Sequence, residues 1–188
     1  MTVFAGVPGG TSQCTPWDAA CGFTDARQAV AARRLEDGAA LAMLSAKPLW
    51  LDFLDSQYLQ TPGEDELSEA IGGVLERTAP ATVLLPAGLY HSDHVLVHQA
   101  VLALCRAQPC RHWIMYEDAL YRRGAGHLQH RLAALLADRF CATPITAQVS
   151  HSSSKHATVA CYRSQLRALG KPADVVAPEG YWRLEVSA

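Results

Sequence analysis

The stretch TVLLPAGLYHSDHVLVHQAVLALCRA, residues 82–107, decides the fold. Thr82 to Pro86 is an apolar run of strand length that reads as a strand of the fully buried type, ended by Pro86 and the loop AGLYHSD. From about Asp93 to Ala107 the apolar residues recur at helical spacing. A strand, a short loop and a helix form the repeating unit of α/β folds, and the same alternation continues in both directions. Upstream, helices are predicted over about Glu64 to Thr78 and from Asp25 to about Ala46, the latter opened by Thr24 as N-cap. Thr2 to Val7 and LWLDFLD read as short strands. Downstream, a strand near Arg111 to Asp118, a helix from His127 to Phe140 and a strand from Thr143 to Val149 lead into a long helix, Ser152 to Leu169, capped by Ser152 or Ser153. The terminal YWRLEV is a candidate edge strand. The whole predicts a mostly parallel sheet with helices on both faces.

Composition narrows the function classes. With 188 residues, 49% hydrophobic, 18% charged and a net charge of -2, the chain is neither disordered nor basic enough to bind nucleic acid through charge. One domain over residues 1–188 is expected. There is no apolar window of about 18 residues and no secretory pattern at the amino terminus, so a cytoplasmic protein without a membrane span is expected. The six cysteines are scattered through apolar segments without zinc-ribbon spacing and are expected to be free thiols.

The loop after the Thr82 strand delivers His91, Asp93 and His94 to the start of a helix. Ligands of open α/β sheets collect at this carboxyl edge. His91 and His94, three apart, share a helical face, and Asp93 is available to orient an imidazole. This pattern suits a metal or acid/base site. It equally suits surface histidines beside a helix cap, with Asp93 at the positive end of the dipole. His98 lies one turn further on and is a conceivable second ligand, and His151 and His156 flank the start of the last predicted helix. SHSSSKH is either a phosphate or sugar-hydroxyl site or a serine-rich cap. Tyr116, Glu117 and Asp118 end a strand, where they line a pocket or finish the sheet.

The chain resembles the PIG-L (LmbE-like) zinc-dependent N-deacetylases over nearly its whole length. The carriers are HSDH at 91–94, matching the H-x-D-H element, Arg33-x-x-Glu36, DFLDSQ from Asp52 to Gln57, MYEDALY around Glu117, and KHATVACYRSQ from Lys155 to Gln165. The resemblance implies a Rossmann-like fold, a zinc cofactor and hydrolysis of an N-acetyl group on a glucosamine-like substrate or glycoconjugate. It makes His94 a zinc ligand. His91 becomes the group that stabilises the oxyanion or protonates the leaving amine, Asp93 its orienting partner, and Arg33 a substrate contact. Arg33 reads as well as a solvated helix arginine paired with Glu36 or Asp37.

The departure from the family lies at the amino terminus. The family's H-x-D-D element, which follows its first strand and supplies two further zinc ligands and the general base, is absent, as if the first strand were missing. A start codon assigned too late, a true truncation, and a remnant completed by a partner strand each account for this. The chain as it stands is therefore expected to be inactive. A non-catalytic sugar- or partner-binding remnant of the same fold is the alternative.

Overall fold

The computed structural model describes residues 1–9, 14–146, 152–170, 175 and 178–187, without the side chains of 152 and 153. His151 and the serine side chains expected to cap the last helix lie outside the described residues. The chain divides into two compact units, Met1–Pro62 with Ser150–Ala177, and Gly63–Val149 with Pro178–Ala188.

The second unit holds the sheet. Strands β1 (Thr82–Pro86), β2 (His112–Tyr116), β3 (Phe140–Ile145) and β4 (Tyr181–Val186) are ordered β1-β2-β4-β3. The β1 and β2 strands run parallel, whereas β4 is antiparallel to both its neighbours. The α/β class stands, and the count of parallel pairs needs correction: one pairing of three is parallel. Nor is β4 an edge strand. It lies between β2 and β3, with Leu184 buried and Trp182 donating from Nε1 to Glu117 at 3.0 Å. A terminal position in sequence carries no information about position in a sheet, because the antiparallel return needs no crossover helix. The β1 strand is also less buried than its apolar composition suggests: Leu85 is 1% exposed and Leu84 55%.

Helices α3 (Glu64–Thr78), α4 (Ser92–Ala107) and α5 (His127–Ala137) flank this sheet. Three acidic residues open α3 at its positive end. The α4 helix packs against β1 and β4, α5 against β3, and α3 against α4. Trp113, Met115, Leu135 and Phe140 are among the side chains that close the core.

The first unit is helical, with α1 (Pro16–Cys21), α2 (Ala26–Met43), α6 (Ser152–Val159) and α7 (Arg163–Leu169). The segment before α2 contains α1, built on the sequence Thr15-Pro16-Trp17-Asp18. Thr15 accepts from the Asp18 amide, Asp18 reaches back to the Thr15 amide, Pro16 sits in the first turn, and Gly22 closes the helix at φ 95°. Asp25, not Thr24, caps α2 by accepting from Gln28 N at 3.0 Å. The expected strands at Thr2 and Trp50 reduce to isolated bridges, Thr2 with Trp50 and Phe4 with Asp52.

The long terminal helix is two helices. The chain tightens to three-residue bonds at Cys161 and Tyr162, then restarts. Tertiary contacts fix the break. The Tyr162 hydroxyl donates to Asp37, and Glu36 accepts from Ser164 N and Oγ at 2.8 and 2.7 Å. The α7 helix has no capping side chain of its own, so Glu36 satisfies one of its free first-turn amides.

Candidate functional site

The histidine cluster forms where the loop after β1 meets α4. Gly88, at φ 65°, lets the loop turn there, and a Cβ on it would meet His94 O, His98 Cβ and Val95 Cα at 3.0 Å. Arg131 from α5 donates to Gly88 O at 2.6 Å and fixes this turn.

His91 is the N-cap of α4, its Nδ1 accepting from Asp93 N at 3.3 Å. An accepting Nδ1 leaves the proton on Nε2, so the half-exposed His91 ring carries an N–H donor at Nε2. Asp93 is buried, with its carboxylate 3.9 Å from the His91 Nδ1. The ring is thus oriented by the Asp93 backbone amide, with the carboxylate as a longer-range electrostatic neighbour. The His91 and His94 rings lie 5.5 Å apart, and Tyr121 stands beside both, at 6.4 and 6.3 Å.

His94 is half-exposed, and its Nδ1 lies 3.0 Å from Oδ1 of the buried Asp118. The pair has the distance of an ion pair without the alignment of a directed hydrogen bond, and neither atom has another hydrogen-bonding partner. Asp118 is fixed from the other side by Leu89 N, which donates to its Oδ2 at 2.6 Å. Sequence reading left Asp118 between pocket and sheet roles; its position behind a histidine became visible only once β2 was paired beside β1.

His98 turns away from this pair. It is fully buried, with Nδ1 2.8 Å from the Pro86 carbonyl oxygen. Burial, reinforced by the Arg131 charge, pushes its imidazole down to about 4, against smaller opposing contributions from Pro86 and Asp118. It is a neutral core histidine, and not the second ligand that its spacing from His94 suggests.

Arg33, the expected substrate contact, belongs to the first unit. Its Nη2 lies 2.6 Å from Oδ1 of Asp18, which is 0% exposed and also accepts from the Tyr58 hydroxyl. Burial, with the Asp18 charge, pushes the Tyr58 hydroxyl well above its ordinary value. Arg33 is therefore neither solvated nor paired with Glu36 or Asp37. It lines a cavity of about 150 Å³ with Trp17, Arg34, Trp50, Tyr58 and Tyr162. Asp18 is the residue that sequence reading missed; the capping-box spacing of Thr15 and Asp18 was its only signal. His156 is on α6 of this same unit.

All six cysteines are free thiols. No described helix is long and apolar enough to cross a membrane. Among the described residues, no three His, Cys, Asp or Glu side chains stand together as a metal site.

No protein-family model matches the chain, and no curated protein matches its sequence. Solved structures do match. A triple mutant of a deacetylase of the teicoplanin biosynthetic pathway superposes with a TM-score of 0.80 at 24% identity, covering 99% of this chain and 84% of that one. The likeness is one of fold. The A40926 pseudoaglycone deacetylase gives a TM-score of 0.76 at 24% identity over 100% of this chain and 84% of its own. A zinc-inhibited form of teicoplanin deacetylase gives 0.77 at 22% identity over 99% and 86%. The α/β architecture read from the sequence is therefore shared, along nearly the whole chain, with three structures described as deacetylases.

Proposed function

We propose that this chain is a PIG-L-like deacetylase domain that recognises an N-acetylated amino sugar or glycoconjugate. The observation that carries the reading is the His91–His94 pair at the head of α4, set in a fold shared with deacetylases. His91 carries its N–H at Nε2, where it can donate to an amide oxygen as negative charge develops, or pass a proton to the departing amine. Asp93 holds His91 through its backbone amide. Arg33 is proposed as a sugar contact on the wall of its cavity, its guanidinium fixed in place by Asp18.

Zinc is the cofactor that the resemblance implies, with His94 as its ligand. A catalytic zinc site takes three protein ligands, and the described residues bring no such group together, so they do not fit the ion by themselves. The 188 residues also contain no H-x-D-D element to act as general base. We infer that this chain alone binds the amide without cleaving it. The same observation favours the second reading, a sugar-binding domain that works without metal.

Both are tested by titrating the purified chain with a methyl glycoside of N-acetylglucosamine, with zinc and with a chelator. Histidine ring resonances report binding, and released acetate reports cleavage. Perturbation of His91 and His94 without acetate is expected. Zinc-dependent acetate release would overturn the inactivity, and unperturbed rings would overturn the substrate class. Binding that chelation leaves unchanged selects the metal-free reading.

A further inference from the structure

Asp118 sits two residues beyond β2, at the carboxyl edge of the sheet, and is 1% exposed. A buried carboxylate needs partners for both oxygens. One oxygen has Leu89 N; the other lies 3.0 Å from His94 Nδ1 and has no hydrogen-bond partner, while the Arg131 guanidinium acts on the carboxylate through charge alone. A bare ring-nitrogen lone pair at that distance from a carboxylate oxygen would be repelled by it. A proton on Nδ1 turns the contact attractive, and in a low-dielectric setting the difference is large. His94 is otherwise half-exposed, and its ring rests near His91 and Tyr121 without another hydrogen bond to Nδ1.

We propose that Asp118 is a positioning residue that holds His94 in the Nδ1–H tautomer, so that Nε2 presents a lone pair. The two histidines then differ in kind. His91, whose Nδ1 accepts from the Asp93 amide, presents an N–H; His94 presents an acceptor. Their Nε2 atoms are complementary, one suited to a developing negative charge and the other to a proton or an electrophilic centre. The Leu89 amide and the Gly88 turn, tied to Arg131, lock the carboxylate in register with the ring. This inference deepens the deacetylase reading, from which it takes His94 as a site residue, but the tautomer itself is a property of the free protein.

The test is NMR of the whole chain labelled with nitrogen-15 in its histidine rings, without substrate or metal, at a pH well above the ordinary imidazole value. His94→Gln identifies the His94 signals. In the unmodified protein, Nδ1 of His94 is expected to resonate as the protonated nitrogen and Nε2 as the bare one. In Asp118→Asn, whose amide can donate to Nδ1, the two signals are expected to exchange character. A purely structural role for Asp118 would change stability and leave the tautomer unmoved. The proposal is overturned if His94 is Nε2–H in the unmodified protein, a measurement that needs no variant to fold, or if Asp118→Asn leaves the tautomer unchanged. The sugar titration fails or succeeds independently of either result.

Discussion

His98 gives the sharpest test of the second unit, because it is a titratable group that the fold holds neutral. Its imidazole falls from 6.5 to about 4 on burial beneath the Pro86 carbonyl, with Arg131 adding repulsion. The unfolded chain takes up this proton as pH falls below 6.5, and the folded chain resists until about 4. Stability from this group is therefore fully present above 6.5, is lost as pH falls, and stops falling once the folded state also protonates. The difference of about 2.5 units corresponds to roughly 3 kcal/mol, of which about 2 kcal/mol is gone by about pH 5. Other histidines and carboxylates titrate in the same range, so the comparison must isolate one group. His98→Gln removes the titration and keeps an amide that can donate to Pro86. Urea unfolding at a series of pH values is expected to show the unmodified chain losing about 3 kcal/mol more than the variant between neutral pH and pH 4. Parallel profiles for the two proteins would refute the burial argument, whatever their absolute stabilities.

Three further outcomes follow from the same reasoning. Arg33→Met strands the Asp18 carboxylate in the interior of the first unit, and should cost about 3–5 kcal/mol in chemical unfolding, whereas a solvent-exposed ion pair would cost under 1. Glu36→Ala removes the acceptor for Ser164 N and Oγ and should cost about 1–3 kcal/mol, with hydrogen exchange accelerated first in the opening turn of α7. Gly88→Ala places a Cβ at 3.0 Å from three atoms of α4 in a left-handed backbone. It should lower stability by about 1–3 kcal/mol and shift the His94 ring resonances, while Gly63→Ala, with open space around it, should do neither.

The local elements were largely encoded where periodicity was strong. The α3 helix begins and ends where its acidic first turn and its apolar spacing place it, and β1 occupies the predicted five residues. HSDH falls at the head of α4 because a strand ending in Pro86 and an apolar helical repeat leave only that loop between them. These are short-range signals, set by backbone propensity and by which face of an element is apolar.

What the sequence could not decide depended on partners remote along the chain. YWRLEV has the alternation of a strand at any position in a sheet; only pairing with both β2 and β3 made it internal and the sheet mixed. Ser152 to Leu169 has a continuous helical repeat, and its break came from Asp37 and Glu36, more than a hundred residues away. His94 and His98 share one helical face in sequence, yet one met Asp118 at the sheet edge and the other met the Pro86 carbonyl in the core. Arg33 read equally as a substrate contact and as a solvated helix arginine, and its pairing with the buried Asp18 was in neither reading. The sequence alone determined which chemistry was carried to which loop. Tertiary structure decided the burial and the neighbour of each group, because both follow from contacts that no spacing rule contains.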